Sequence, residues 1–298
     1  MTPNATKRPG PIYYLRLLLF LVLLTPIGVW LFSVAGLVTA VTIPLQHPIC
    51  CDSPTRFGAA FEKISFRTAD GLTLRGWYIP PRNGAVILLI HPYYGDRMAV
   101  MRPAEALYRN GYGILMYDQR ASGESEGNLR SLGWLDIPDV QEATRFVISR
   151  QPDARIGIAG CSSGGAIALG GAALTPQIGA VAADAPSPLS WEENKPDFRA
   201  DPFYALTFTA YFHIVAWKAN TYAPISTLEA IRAVSPRPIL FLSTGRGAER
   251  DRIQGYYETA SGPKLHFNLP DSGHCAGPYT HPVEYGQALV DFFNTYLK

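Results

Sequence analysis

The sequence predicts an α/β protein with a mostly parallel sheet. Short, nearly uninterrupted apolar runs are typical of strands that helices cover on both faces. Such runs follow one another along the chain: AVILLIH, GILMYD, IGIAG, AVAADAP, PILFLST and KLHFNLP. Helical patterns separate or follow them, over residues 98–110, 135–150, 163–174, 252–260 and 283–297. Alternating strands and helices connect through right-handed crossovers, so we expect helices on both faces of the sheet.

An antiparallel hairpin precedes this pattern. The stretch FEKISFRTADGLTLRGWYIP alternates apolar and polar residues around the turn dipeptide Asp70-Gly71. We therefore expect two antiparallel strands at one edge of the sheet, within a single domain over residues 58–298. With 47% hydrophobic residues the chain has ample material for a large core. The net charge is +2 and the sequence has no basic stripe, so nucleic acid is not expected as a partner.

The N-terminal region has a different composition from the rest. No Asp, Glu, Lys or Arg occurs from Leu17 to Cys51. A helix of about 20 apolar residues suffices to cross the hydrocarbon layer of a membrane. We interpret residues 12–43 as a transmembrane helix, kinked at Pro26, between a short tail (1–11) and a linker (44–57).

A cleaved signal peptide is the alternative interpretation of this segment. Small residues suited to cleavage occur at residues 33–35 and 38–40. The apolar run exceeds the core of about 7–15 residues that signal peptides have, which favours a retained anchor. Only Arg56 follows the span closely, whereas the basic residues before it are Lys7, Arg8 and Arg16. The positive-inside bias therefore predicts a cytoplasmic N-terminus and an extracytoplasmic main domain.

An insertion over residues 187–236 interrupts the pattern after its sixth strand, counting the hairpin. Insertions of this length in a regular α/β pattern are often lids or binding segments, and we expect a lid here. A small helical subdomain with its own core is the alternative. The insertion is rich in aromatic residues, namely Trp191, Phe203, Tyr204, Phe208, Tyr211, Phe212, Trp217 and Tyr222.

A candidate nucleophile lies where a strand pattern turns into a helix pattern. Residues 160–164, GCSSG, fit Gly-x-Ser-x-Gly, in which the serine occupies a strained turn and side chains two positions away would collide. Ser162 has glycine at both positions, whereas Ser163 has Cys161 and Gly165. Ser162 is therefore the predicted nucleophile. The following helix directs N–H groups and its positive dipole end at an oxyanion, so the backbone N–H of Ser163 is one predicted oxyanion donor.

The candidate base and acid follow further along the chain. His274 lies in LPDSGHCAG, directly after the last predicted strand, and the chain order serine, acid, histidine selects it as the general base. The acid is expected after PILFLST, where Glu249 and Asp251 both qualify. We prefer Glu249, with Asp251 as the main alternative and Asp184 as the third candidate. Either of the first two is also compatible with an ordinary solvated charge at a helix start.

A second oxyanion donor is expected in the loop after AVILLIH. Pro92 has no N–H, so Tyr93 is the candidate by position. The four cysteines match no zinc-binding spacing and the sequence has no His-Glu-x-x-His, so neither a metal nor an organic cofactor is expected. We interpret Cys161 and Cys275 as small buried residues.

Over roughly residues 60–298 the chain resembles the α/β-hydrolase superfamily, and within it the membrane-anchored serine hydrolases of the Bem46 and ABHD type. The residues that carry the resemblance are ADGLTLRGWYIP, ILLIHPYYGDR, GYGILMYDQRASGESEG, SLGWLDIPDV, GCSSGG and SGHCAG. The resemblance implies the α/β-hydrolase fold, with Ser162 as nucleophile, His274 as base, and the amides of Tyr93 and Ser163 as oxyanion donors. The chain departs from the family pattern at Pro92 and Ala121, where glycine is usual, and STGRGAERD lacks the usual His-Gly-x-x-Asp.

We therefore expect a membrane-anchored serine hydrolase that cleaves carboxylic esters or thioesters through an acyl-enzyme on Ser162. The anchor and the aromatic insertion suggest a hydrophobic acyl substrate presented at a membrane surface. A serine peptidase and a non-catalytic binding protein on the same scaffold are the alternatives.

Overall fold

A computed structural model describes residues 10–195 and 198–297 of the chain. The strands are β1 (Leu45–Gln46), β2 (Glu62–Arg67), β3 (Thr73–Ile79), β4 (Ala85–Ile90), β5 (Gly113–Tyr117), β6 (Ser122–Gly123), β7 (Arg155–Cys161), β8 (Ile178–Asp184), β9 (Ile239–Ser243) and β10 (Lys264–Asn268). The α-helices are α1 (Pro11–Thr42), α2 (Met101–Arg109), α3 (Asp139–Arg150), α4 (Ser163–Leu174), α5 (Trp191–Asn194), α6 (Pro202–Ala219), α7 (Thr227–Val234), α8 (Gly247–Thr259), α9 (Gly277–Thr280) and α10 (Pro282–Tyr296).

The main sheet has eight strands in the order β10-β9-β8-β7-β4-β5-β3-β2. The pairs from β10 to β5 are parallel, whereas β3 pairs antiparallel with both β5 and β2. Every residue of β4, β5 and β9 is buried, as the uninterrupted apolar runs predict for strands covered on both faces. The predicted α/β-hydrolase fold, with a mostly parallel sheet and an edge hairpin, is confirmed.

The carboxyl ends of the parallel strands lie side by side at one end of this sheet. Ile90 pairs with Gly160, Cys161 with Asp184, and Asp184 with Leu242. In open α/β sheets ligands bind beyond the carboxyl ends of the strands. The loops that carry the candidate serine, acid, histidine and oxyanion residues all leave the sheet at these carboxyl ends.

Buried arginine side chains fix the loop DQRASGESEG after β5. Arg97 donates to Asp118 at 2.6 Å, and both side chains are almost fully buried. Arg120 pairs at 2.6 Å with both Asp70 and Asp139. Hydrogen-bonded geometry of this kind is what a buried ion pair requires to offset its desolvation. Ala121 in this loop has φ 55°, a left-handed conformation that favours glycine, which accounts for the glycine usual in the family.

The contacts within the chain divide it into two compact units. One unit comprises the described residues up to Ala40 together with the described residues of the segment from Lys195 to Val215. Its helix α1 is long and apolar enough to cross a membrane. Hydroxyl groups within α1 bond back to carbonyls four residues earlier: Thr25 Oγ1 to Leu21 O at 2.7 Å and Ser33 Oγ to Val29 O at 2.8 Å. The other unit, Val41–Asn194 and the chain from Ala216 onward, contains the main sheet.

The segment expected to be a linker, residues 44–57, begins with residues that are hydrogen-bonded to the loop after β5. Leu45 and Gln46 form a short parallel ladder with Ser122 and Gly123. Immediately before this ladder, Arg130 N donates to Thr42 O at 3.1 Å. The segment is therefore bonded to the sheet unit from its first residues.

The described residues of the insertion are largely helical, and one predicted helix begins earlier than expected. Residues 187–236 contain α5, α6 and α7, the last of which begins with a capping box between Ser226 and Glu229. The helix expected at 252–260 begins five residues earlier, at Gly247. Gly245 and Gly247, both at positive φ, hide this start in the sequence because glycine is unfavourable in a helix.

Candidate active site

The turn between β7 and α4 has the geometry of a nucleophile elbow. Ser162 has φ 57° and ψ −123°, a strained conformation for a non-glycine residue. A Cβ at Gly160 would overlap the carbonyl group of Gly164, and a Cβ at Gly164 would overlap the carbonyl oxygen of Ile90. Only hydrogen fits at these positions, as the Gly-x-Ser-x-Gly pattern predicts.

Hydrogen bonds to neighbouring loops hold the elbow in place. Ser162 N donates to Asp184 O at 2.8 Å, and Ser187 N donates to Ser162 O at 3.1 Å. Ser162 Oγ lies 3.2 Å from Ser187 Oγ, at hydrogen-bonding distance. Ser187, the first residue of the insertion, therefore contacts the candidate nucleophile directly, a contact that the sequence did not indicate.

The candidate base and the preferred acid are paired. His274 Nδ1 lies 2.8 Å from Glu249 Oε2. Thr244 donates to Glu249 Oε1 from its backbone N at 2.8 Å and from its hydroxyl at 3.0 Å. Burial alone would raise the pKa of the Glu249 carboxyl, but the hydrogen bonds from Thr244 and His274 outweigh it and hold the pKa below its ordinary value. Glu249 is therefore a carboxylate that orients the imidazole from its Nδ1 side.

The alternative acids lie in different surroundings. Asp251 is 69% exposed and pairs with the neighbouring Arg250. Asp184 is buried, and its burial raises the pKa of its carboxyl to about 7 despite a hydrogen bond with Tyr285. The structure thus brings Glu249, and neither Asp251 nor Asp184, into hydrogen-bonding contact with His274 within the described residues.

One cavity contains both Ser162 and His274. Its volume is about 560 Å³, within the range of ligand pockets in proteins. Among the described hydrogen bonds Ser162 Oγ pairs with Ser187, not with His274, so the two side chains share the cavity without a direct bond. The walls are mainly apolar and aromatic: Leu89, Pro92, Tyr93, Tyr94, Ala99, Val100, Pro103, Pro278, Tyr279, Tyr285 and Leu289. These residues come from the end of β4, the loop that follows it, the start of α2 and the C-terminal part of the chain. None of the residues lining this described cavity belongs to the insertion 187–236.

The two candidate oxyanion donors come from the loop after β4 and from the start of α4. Ser163 begins α4, so its N–H is one of the helix-terminal groups without an intrahelical acceptor. Neither Tyr93 N nor Ser163 N donates to a carbonyl in the backbone hydrogen bonds of the described turns and loops. His91 supports the loop of Tyr93, because its Nε2 accepts from Gln119 N at 2.9 Å and its Nδ1 then donates to Pro92 O at 2.8 Å.

Arg130 fixes the conformation of Tyr93, a role that no motif in the sequence indicated. Its guanidinium donates to Tyr93 O and stacks on the Tyr93 ring, with Cζ 3.8 Å from the ring centroid. The Tyr93 hydroxyl donates to Val41 O and accepts from Leu132 N at 3.2 Å. Burial raises the pKa of this hydroxyl to about 12, so the phenol stays neutral and able to donate. The backbone of Tyr93 is thereby held from its carbonyl, its ring and its hydroxyl.

The interpretation of Cys161 and Cys275 as small buried residues is wrong, because both are only partly buried and they are bonded to each other. The two side chains form a disulfide, with Cα atoms 5.9 Å apart and a sequence separation of 114. Cys50 and Cys51 are also paired with each other. The sequence did contain a signal for the Cys161–Cys275 disulfide, since Cys161 directly precedes the candidate nucleophile and Cys275 directly follows the candidate base.

Comparisons with known proteins agree with this architecture. Residues 85–230 match the family model described as the alpha/beta hydrolase fold. An esterase of Pyrococcus furiosus, Pf2001, superposes with a TM-score of 0.69 at 21% identity, covering 86% of this chain and 99% of that protein. The chain has the α/β-hydrolase fold.

Curated relatives match part or most of the sequence. The thiohydrolase aneE of Aspergillus aculeatus is 33% identical over 125 residues, which are 40% of this chain and 39% of that protein. The uncharacterized protein YfhR of Escherichia coli is 24% identical over 252 residues, which are 80% of this chain and 82% of that protein. The chain spans about two fifths to one half of the length of the first curated relatives it matches, 39% to 47%.

Proposed function

We propose that this chain is a membrane-anchored serine hydrolase that cleaves carboxylic esters or thioesters through an acyl-enzyme on Ser162. The observation that carries the proposal is a single apolar cavity containing the strained elbow serine and a histidine bonded to a largely buried carboxylate. A serine hydroxyl needs such a base, because it is a weak nucleophile at its ordinary pKa. The thiohydrolase relative supports thioesters as one substrate class.

The proposed reaction begins when the Ser162 hydroxyl turns from Ser187 towards His274. His274 Nε2 then accepts the hydroxyl proton while Ser162 Oγ attacks the carbonyl carbon. Glu249, bonded at Nδ1, keeps the imidazole in the tautomer whose Nε2 is free to accept and stabilises the imidazolium that forms. The amides of Tyr93 and Ser163 donate to the oxyanion. His274 next protonates the departing alcohol or thiol, and water attacks the acyl-enzyme by the same route in reverse.

The character of the cavity favours an acyl substrate over a peptide. Its walls carry aromatic and aliphatic side chains, with few groups able to satisfy the amide groups of a peptide backbone. A buried amide without hydrogen-bond partners costs about 1–3 kcal/mol, whereas each buried methylene gains about 0.8 kcal/mol. An alkyl chain therefore fits this cavity better than a peptide does.

The membrane-anchored form of the proposal depends on α1. The helix is long and apolar enough to span the bilayer, and the preceding basic residues favour a cytoplasmic N-terminus. All four cysteines of the chain are paired in two disulfides, which persist in oxidising compartments. Both observations support an extracytoplasmic catalytic domain.

Labelling with a fluorophosphonate probe tests the catalytic core. We expect the wild type and Ser163→Ala to be labelled and to hydrolyse acyl esters, and Ser162→Ala to do neither. Labelling that persists in Ser162→Ala and disappears in Ser163→Ala would overturn the choice of serine. A folded wild type that neither labels nor turns over would favour a binding protein.

Substrate preference needs its own comparison. p-Nitrophenyl esters, acyl thioesters of N-acetylcysteamine and peptide amides of matched acyl groups should be hydrolysed in a series of rising chain length. We expect kcat/KM to rise with acyl length on both the esters and the thioesters and to be far lower on amides. Faster cleavage of peptide amides than of esters would contradict the proposal.

The anchor is tested on full-length protein in membranes. A retained transmembrane helix predicts that the protein resists extraction by alkaline carbonate and keeps its original N-terminus. Protease added outside the cell should degrade the catalytic domain if the proposed orientation holds. A mature N-terminus between residues 35 and 41 would instead identify a cleaved signal peptide.

A further inference from the structure

We propose that the Cys161–Cys275 disulfide positions His274 against the elbow serine, so that turnover requires this bond to be intact. The inference rests on the proposed function. Cys161 directly precedes Ser162, and Cys275 directly follows His274, so the bond joins the neighbours of the two predicted catalytic residues. The Cα atoms of the two cysteines are 5.9 Å apart.

The loop that carries His274 has its other anchors on one side. Leu269 N donates to Ser243 O at 2.8 Å, Arg246 pairs with Asp271 at 2.9 Å, and Glu249 bonds His274 at 2.8 Å. All of these partners lie at the end of β9 or in the segment that follows it. Among the hydrogen bonds, ion pairs and disulfides of the described residues, Cys161–Cys275 is the link from this loop to the elbow.

The loop is otherwise open to movement. The His274 side chain is 48% exposed and that of Asp271 is 83% exposed. The remaining bonds of the loop are local, such as Ser272 N to Leu269 O at 3.0 Å and Ala276 N to Gly273 O at 2.9 Å. Loops with few buried contacts and exposed hydrogen bonds open at low free-energy cost. The disulfide therefore sets how far the imidazole can move from Ser162.

The expected effect of breaking the bond is on the chemical step. A displacement of about 1 Å between reacting groups can cost about 100-fold in rate. The walls of the acyl cavity come mainly from other residues, so substrate binding should change little. We therefore expect kcat to fall about 10- to 100-fold with KM within about twofold. A smaller fraction of folded protein would give the same split, so the folded fraction of each sample is measured by circular dichroism.

Both cysteines line the cavity, so a small reductant that enters it can reach the bond. Dithiothreitol breaks the S–S bond by exchange, leaving two protein thiols while the reductant is oxidised to its cyclic disulfide. Mass spectrometry after alkylation with iodoacetamide counts the thiols in each sample. Full-length wild type should carry the Cys161–Cys275 linkage, lose kcat on reduction below its unfolding temperature, and regain it on reoxidation with oxidised glutathione.

Variants separate this bond from the other disulfide. Cys161→Ser/Cys275→Ser should show the low kcat of reduced wild type, an equally slow reaction with the fluorophosphonate probe, and no response to dithiothreitol. Cys50→Ser/Cys51→Ser is the matched control and should keep both the wild-type kcat and the response to reductant. Thermal unfolding followed by circular dichroism establishes that each variant is folded.

The outcomes are distinct for the two proposals. Reduced wild type with both thiols free and an unchanged kcat would overturn the inference while leaving the proposed function in place. So would free thiols at both positions in active protein exported to an oxidising compartment. Oxidised protein with the mapped linkage but without labelling or turnover would overturn the proposed function, and the positioning role with it.

Discussion

Replacing Glu249 by glutamine removes the negative charge and the acceptor beside His274 Nδ1 while keeping the size of the side chain. The glutamine side chain has the same length as the carboxylate it replaces, and its carbonyl oxygen can still accept from Thr244 N and Oγ1, which lie 2.8 and 3.0 Å from Glu249 Oε1. The amide NH₂ then faces His274 Nδ1. Because this group only donates, it favours the tautomer with the proton on Nε2, and that nitrogen can no longer accept the proton of Ser162.

The size of the effect follows from the geometry of the pair. A charge-assisted hydrogen bond contributes about 1.5–3 kcal/mol and a neutral one about 0.5–1.5 kcal/mol, so neutralisation costs roughly 1–2 kcal/mol. Attraction between the carboxylate and the imidazolium adds about 4 kcal/mol at an effective dielectric constant of 20. Since the His274 side chain is 48% exposed, solvent screens this attraction, and we take about half of it. The total of about 3–4 kcal/mol corresponds to a fall of about 10²- to 10³-fold in kcat.

The assay is steady-state hydrolysis of an acyl ester by wild type, Glu249→Gln and a matched control. Asp251→Asn makes the same chemical change two residues away, on a side chain that is 69% exposed and bonded to Arg250. We expect kcat of this control within about twofold of wild type, because exposed ion pairs contribute about 0–1 kcal/mol. A Glu249→Gln enzyme within about threefold of wild type would refute the reasoning, because a loss of 3–4 kcal/mol corresponds to about 10²-fold or more. A large loss in Asp251→Asn alone would assign the acid to Asp251.

Three further predictions concern the elbow, the oxyanion loop and a buried carboxyl. Gly160→Ala should lower the free energy of unfolding by about 2 kcal/mol or more, because its Cβ would overlap backbone atoms of Gly164. The control is Gly255→Ala, whose Cβ would have open space around it. In thermal denaturation this control should be as stable as wild type or more so. Arg130→Met keeps the apolar volume of the side chain but removes the donor to the Tyr93 carbonyl, so kcat should fall about 10-fold at similar KM. A kcat equal to that of wild type would mean that this contact does not position the loop. Burial raises the pKa of Asp184 from 3.8 to about 7, so between these pH values the native state keeps a proton that the unfolded chain has lost. The contribution of this carboxyl to the free energy of unfolding therefore falls by up to about 4 kcal/mol as the pH rises from about 4 to about 7. Asp184→Asn should flatten this decline in denaturant unfolding measured across that range, and an equally steep decline in the variant would contradict the assignment.

Local patterns accounted for most of the fold. The strands β4, β5 and β9 are buried along their whole length, and such strands leave an uninterrupted apolar run that is readable without a structure. The short ladder of Leu45 and Gln46 with Ser122 and Gly123 left no comparable signal. Backbone hydrogen bonds form that ladder, and they impose almost no choice of side chain over two residues.

In the candidate site, too, features set by neighbouring residues could be predicted from the sequence, whereas features set by contacts in the folded chain could not. The elbow at Ser162 depends on glycines two residues away, so a few neighbouring letters are enough to indicate it. Whether Glu249 or Asp251 meets His274 depends on where α8 begins, because residues two apart on a helix point in different directions. The hydrogen bond from Arg130 to the Tyr93 carbonyl joins residues that are far apart in the sequence, so it is visible only in the folded chain.

The hydrogen bond from the Tyr93 hydroxyl to Val41 O affects how the sheet unit can be produced as a shortened protein. A cut at residue 58, where the sequence pattern alone puts the start of the domain, would remove the acceptor of the phenol and the strand paired with Ser122. The buried phenol would then lack a partner for its proton, at a cost of about 1–3 kcal/mol. Expression clones without the apolar helix should therefore begin no later than Val41.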